Sequence, residues 1–144
     1  LELATAAGSR GVAGGQVEDL AANRGNLTRE LLDFIHLHKT ADLFSAACRM
    51  GAIAGGSSEA DLTAIGDYGL ALGQAFQIID DLLDAAEAED PDSFGCSCLN
   101  IWRPEDARAA AAELEAAAIT AVRRIHAGPV EPLEELARLA LHRG

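Results

Sequence analysis

GDYGLALGQAFQIIDDLLD, residues 66–84, is the stretch whose reading decides the fold. Gly66, Gly69 and Gly73 stand three and four residues apart, the period that puts side chains on one face of a helix. Each glycine costs about 1 kcal/mol relative to alanine inside a helix. Three on one stripe predict that another helix, or a ligand chain, approaches closely there. The helix is expected from about Glu59 to Ala86, opened by Ser58 and Asp61 in the pattern of a capping box. Toward its end, Asp80, Asp81 and Asp84 sit among Phe76, Ile78, Ile79, Leu82 and Leu83, where uncompensated charge is most expensive.

The flanking sequence reads as further helices with short breakers. Residues 1–22 carry an apolar and small-residue pattern interrupted by the glycines of SRGVAGGQ, and Asn23 to Asn26 form a turn. A helix is predicted from about Thr28 to Ile53, with Leu31, Leu32, Ile35, Leu43, Ala46, Ala47 and Met50 at helical spacing and Gly55-Gly56 at its end. Residues 87–103 read as a loop. Pro104 suits the first position of a helix reaching about Ile125, Gly128-Pro129 ends it, and Pro132 opens a last short one. Five helices, no convincing strand and no internal repeat predict an all-α bundle.

Composition agrees. The chain has 144 residues, enough for one domain and one core. It is 49% hydrophobic but only 4% aromatic, a mix suited to closely packed helices. The formal net charge of −12 makes nucleic acid an unsuitable partner, because such a surface repels a phosphate backbone. Charge interrupts every apolar run within about ten residues, so no membrane span is expected. No signal peptide is legible, and the chain begins Leu-Glu-Leu, so the true N-terminus need not be in view. Three cysteines, an odd number, point to free thiols in a reducing, cytoplasmic setting.

The aspartates carry the chemistry. Residues four apart share a helix face and neighbours are offset by about 100°, so Asp80 and Asp84 project together with Asp81 beside them. Like charges at that spacing repel. Mg²⁺ removes the problem, since it takes one or two carboxylates and fills its octahedron with water and substrate phosphate. The bland alternative is a solvated acidic face, which the apolar surroundings and the nearby Gln77 disfavour. Lys39 is the single lysine among 11 basic residues. It is either a chance survivor or a position that needs a compact ammonium.

Four stretches, in order, resemble the C-terminal half of a trans-isoprenyl diphosphate synthase, the family that includes farnesyl and geranylgeranyl diphosphate synthases. They are GVAGGQVEDL (11–20), IHLHKT (35–40), AACRMGAIAGG (46–56) and GDYGLALGQAFQIIDDLLD (66–84). The resemblance implies a C-terminal portion of one all-α isoprenoid synthase domain over 1–144, the N-terminal portion not being present. It also implies a homodimer and head-to-tail transfer, in which an allylic diphosphate ionises, isopentenyl diphosphate attacks and a proton is lost. On the matching positions, Lys39, Thr40 and Gln77 are the expected catalytic residues, with Lys39 and Gln77 on the diphosphate. Asp80, Asp81 and Asp84 form the expected metal group for Mg²⁺ (or Mn²⁺), Asp80 and Asp84 as holders and Asp81 in support. Gln16 and Asp19 are expected to order neighbouring helices.

Two departures from that pattern stand out. No first aspartate motif precedes Arg10, so this stretch alone is not expected to turn over. Residues 85–103 contain no lysine where the family carries one. That loss is what a rival reading rests on, a non-catalytic synthase-like subunit that modulates a complete partner. A terpene cyclase fits the HKT and FQ pairs poorly. Among other candidates, Cys96-Ser97-Cys98 reads as an ordinary loop with free thiols. His36 and His38 read as helix histidines with no partner at i+4, Trp102 as a packing anchor, and Tyr68 as a packing or wall residue. The acidic run Glu87, Glu89, Asp90 and Asp92 reads as a solvated loop.

Overall fold

The computed structural model describes residues 1–23, 25–87 and 96–142. Among them there is no strand, and the helices are α1 (Glu2–Ala7), α2 (Val12–Ala21), α3 (Arg29–Ile35), α4 (Asp42–Ala54), α5 (Glu59–Glu87), α6 (Pro104–Val122) and α7 (Glu131–Leu141). A π-helical segment, His36–Ala41, joins α3 to α4, and a single 3₁₀ turn, Cys98–Asn100, precedes α6. The expected helix over residues 1–22 is thus two, and the one over 28–53 is broken in register by a wider turn. Asp90, Asp92 and Glu89 lie outside the described residues.

α5 is the axis. Ile65, Tyr68, Leu72 and Ala75 on one side pack with Ala118, Ala121 and Val122 of α6 and Ala137 and Leu141 of α7. Ile78 packs one turn further along with Leu32, Cys98, Ala107 and Ala111. The small side chains of α6 let its backbone come close, so an alanine-rich helix makes a core without aromatics. Tyr68 is fully buried, and its hydroxyl donates to the Leu133 carbonyl at 2.8 Å, fastening α5 to the start of α7. Burial pushes its phenol up to about 12.

The other side of α5 carries the glycine stripe, and α4 lies against it. A Cβ on Gly69 would fall 2.6 Å from Ser45 Cα, and one on Gly73 would fall 2.6 Å from Ala41 Cα. These are backbone approaches that only glycine permits, which is the helix contact the spacing predicts. The Ser45 hydroxyl uses the proximity to donate to the Gly66 carbonyl at 3.1 Å. α4 ends as expected at Gly56, whose φ of 73° only glycine adopts without strain, with Ser57 N–H closing back onto the Ala52 carbonyl. Asp61, 5% exposed, accepts from the Ser58 hydroxyl at the start of α5 and from the His126 N–H beyond α6.

Candidate functional site

Four polar residues of interest project from the last turns of α5: Gln77, Asp80, Asp81 and Asp84. Asp84 is exposed and Asp80 half-buried, one turn apart on a common face. Asp81, one position on, is rotated about 100° away and turned into the protein, 6% exposed. Its Oδ1 accepts from Gln77 Nε2 at 3.1 Å and its Oδ2 from the Cys98 N–H at 2.7 Å. His36 Nε2 lies 3.5 Å from the same Oδ2, an electrostatic contact longer than a good hydrogen bond. Burial pushes the Asp81 carboxyl up, but His36, the Cys98 N–H and Gln77 together outweigh it and hold the acid below its ordinary range.

The facing wall is the π segment. Its wider turn presents His36 and Thr40 to α5 together, and Thr40 Oγ1 donates to Gln77 Oε1 at 2.8 Å. Two rungs therefore join the segments in antiparallel order, Thr40 to Gln77 and His36 to Asp81. Lys39, next to Thr40, pairs with Asp19 of α2, Nζ to Oδ2 at 2.7 Å. α2 comes close because Gly15 has no side chain: a Cβ there would lie 2.3 Å from Lys39 N. Asp19 thus orders neighbouring elements, as the sequence implies. His38 Nδ1 meets Asp42 Oδ2 at 2.8 Å, so, contrary to the sequence reading, it does have a partner at i+4.

Lys39, Thr40 and Gln77 are brought to one region, with Thr40 and Gln77 in direct contact. The three aspartates are not brought to a common point. Among the described residues, no three His, Cys, Asp or Glu side chains converge to hold a metal ion unaided. The donor set nonetheless fits Mg²⁺ in the manner that ion prefers: Asp80 and Asp84 offer hard oxygens on one face, leaving its other positions to water and phosphate. Asp81 differs from them in its burial, 6% exposed, with both its oxygens accepting protein hydrogens.

Sequence reasoning missed two contributors. The Ser97–Asn100 stretch is not an ordinary loop. Ser97 and Asn100 form a reciprocal capping box, and the turn presents the Cys98 N–H to Asp81. The Ser-x-x-Asn spacing was the available signal. Cys96, which precedes the turn, is close enough to Asp19, Asp81 and Lys39 to feel their charges. Burial first and the two carboxylates next push its thiol up to about 11, with Lys39 opposing. The π turn leaves no compositional trace, and no signal could have found it. Trp102 does anchor packing, under the guanidinium of Arg29 at 4.3 Å.

The all-helical bundle is the fold of the isoprenoid synthases. The sequence matches the polyprenyl synthetase family over residues 3–96, and the chain belongs to that family. It is 44% identical over 92 residues to geranylgeranyl pyrophosphate synthase 12, chloroplastic, of Arabidopsis thaliana, covering 62% of this chain and 26% of that protein. It is 40% identical over 90 residues to the large subunit 1 of a heterodimeric geranylgeranyl pyrophosphate synthase, chloroplastic, from the same plant, covering 60% and 24%. Among solved structures, an FPP/GFPP synthase from Zymomonas mobilis superposes with TM-score 0.81 at 29% identity, covering 96% of this chain and 48% of that one. Geranyltransferase from Helicobacter pylori, complexed with magnesium and isoprenyl diphosphate, gives 0.76 at 29% identity over 97% and 47%. The chain thus spans about a quarter of its curated relatives' length and about half that of the solved chains. No helix among the described residues is long and apolar enough to cross a membrane.

Proposed function

We propose that the chain is the C-terminal portion of a single isoprenoid synthase domain. In that domain it serves a trans-prenyltransferase that joins isopentenyl diphosphate to an allylic diphosphate and makes a short-chain polyprenyl diphosphate. The observation that carries this is the Thr40–Gln77 bond one helical turn from Asp80, with Lys39 on the same wall, in a chain of the polyprenyl synthetase family. The names of the Zymomonas and Helicobacter structures and of the Arabidopsis relatives support it.

Ionisation is the demanding step, because diphosphate departs with its electron pair and leaves an allylic cation. Asp80 and Asp84 would hold Mg²⁺ (Mn²⁺ as a substitute), with Asp81 supporting behind them. When bound, the ion supplies positive charge that stabilises the departing diphosphate. Lys39 uses one of its three N–H donors on Asp19 and turns the others to the phosphate oxygens. Gln77 Oε1 and Thr40 Oγ1 present lone pairs to the region where the cation develops, which is electrostatic stabilisation by preorganised dipoles. The double bond of isopentenyl diphosphate forms the new carbon–carbon bond, and a proton then leaves.

A homodimer in a reducing compartment, the cytoplasm, completes the reading. The rival, a synthase-like subunit that modulates a complete partner, draws on the absence of lysine from residues 85–103. The test is product formation by the full protein supplied with isopentenyl diphosphate, an allylic diphosphate and Mg²⁺. A lengthened prenyl diphosphate and released inorganic diphosphate are expected. No product, alone or as a homodimer, favours the modulating subunit.

A further inference from the structure

Of the three aspartates that end α5, the middle one is built differently. Asp81 is 6% exposed, faces away from Asp80 and Asp84, and has donors on both oxygens: Gln77 Nε2 at 3.1 Å on one, the Cys98 N–H at 2.7 Å on the other. Behind it His36, 5% exposed, sits 3.5 Å from the oxygen that holds Cys98. A primary amide has a direction. Its oxygen accepts and its nitrogen donates, so a carboxylate on one end and a hydroxyl on the other fix which way Gln77 points. With Asp81 accepting from the nitrogen, the Gln77 oxygen must face Thr40, where its bond measures 2.8 Å.

We propose that Asp81, braced by His36 and by the turn at Ser97–Asn100, is a positioning residue and not a metal ligand: it sets the direction of the Gln77 amide and ties the chain that follows α5 to the site. This rests on the functional reading above for its consequence in catalysis, though the coupling itself does not. A carboxylate enclosed among three protein groups has no oxygen to turn outward without leaving a buried N–H unpaired. Its neutral isostere is the informative change. In Asp81→Asn one oxygen remains to accept, and the new amide nitrogen opposes an N–H donor, so either Gln77 or the Cys98 turn is released.

The experiment compares Asp81→Asn, Asp80→Asn and His36→Leu in the full protein, with three readouts. The first is the Gln77 side-chain amide in ¹⁵N-correlated spectra, assigned by its loss in Gln77→Glu. Asp81→Asn and His36→Leu are expected to shift that resonance pair and speed its hydrogen exchange, and Asp80→Asn to leave it in place. The second is Mn²⁺ affinity in the presence of inorganic diphosphate, followed by the free-ion paramagnetic signal. Asp80→Asn is expected to weaken it, and Asp81→Asn to weaken it less. The third is steady-state kinetics, where Asp81→Asn is expected to lower kcat by roughly 10- to 100-fold with little change in KM.

Gln77 side-chain and Cys98 backbone amides both unmoved in Asp81→Asn, or a loss of Mn²⁺ affinity equal to that of Asp80→Asn, overturn the proposal. If Asp81→Asn does not fold, His36→Leu decides by the same amides. A wild-type protein that makes no prenyl product sinks the functional reading instead, and the amide spectra still decide whether Asp81 directs Gln77.

Discussion

Gly73→Ala is the perturbation whose consequence the structure fixes most closely. The added Cβ would lie 2.6 Å from Ala41 Cα, 3.0 Å from Ala41 Cβ and 3.1 Å from Phe44 Cβ. Carbon atoms sit comfortably at about 3.5–4.0 Å, so α5 and the end of the π segment must part by roughly 1 Å. None of these neighbours can swing aside, since Ala41 is backbone and a methyl. Forced overpacking costs about 1–3 kcal/mol, and alanine's helix propensity returns about 1 kcal/mol. The Thr40–Gln77 bond, 2.8 Å long and beside the point of separation, is also broken. Its loss adds about 1–2 kcal/mol, for a net destabilisation of about 1–4 kcal/mol.

Two sister substitutions make the result interpretable. Gly51→Ala meets nothing within 4 Å on the exposed side of α4 and is expected to stabilise by about 0.5–1 kcal/mol. Gly66→Ala meets first the Arg49 Cδ at 3.2 Å, a flexible side chain, and is expected near neutral. Urea unfolding of the full protein, followed by circular dichroism, ranks all three. A Gly73→Ala protein as stable as Gly51→Ala refutes the claim that the stripe exists for close contact between α5 and the segment that runs from the π turn into α4.

Other consequences can be measured alongside. Asp80→Ala should lower turnover by roughly 100-fold or more while leaving the helical dichroism intact, and an undiminished rate excludes Asp80 as a metal holder. Asp61 is held below its ordinary acid range first by the His126 N–H and next by the Ser58 hydroxyl. A depressed acid stabilises the fold above its unfolded value of 3.8 and loses that contribution as pH falls through the folded value. Acid unfolding below about pH 4 should therefore be blunted in Asp61→Asn, and identical acid limbs for the two proteins contradict this. Burial raises the Cys48 thiol, and burial followed by Asp81 raises the fully buried Cys98 thiol. Iodoacetamide at neutral pH should spare both thiols until urea is added, and rapid native labelling of Cys98 would show the turn to be open.

What the sequence showed and what it hid divide along physical lines. The glycine stripe, the Gly55-Gly56 stop, the start at Pro104 and the all-α class are written in local spacing and backbone preference, and each is found in place. Lys39, Thr40 and Gln77 stand out in the sequence because two motifs carry them, but the Thr40–Gln77 contact that joins those motifs is seen only in the fold. The π turn at His36–Ala41 was not legible, because it arises from how α3 and α4 meet α2 and α5, and a one-residue change of register has no compositional signature. Asp81 shows the same limit. Position along a helix reveals which way a side chain leaves the axis, but the Cys98 N–H that occupies its second oxygen comes from 17 residues on. The tertiary fold alone separates Asp81 from Asp80 and Asp84.

The most direct test of the central claim, that Asp80 and Asp84 bring magnesium to a substrate diphosphate, is anomalous diffraction at the manganese edge from crystals of the full protein grown with MnCl₂ and inorganic diphosphate. A manganese peak about 2.0–2.2 Å from an Asp80 oxygen, on the face shared with Asp84, is the predicted result. Bound diphosphate with no peak beside Asp80, or a peak coordinated by Asp81 in its place, would contradict the account.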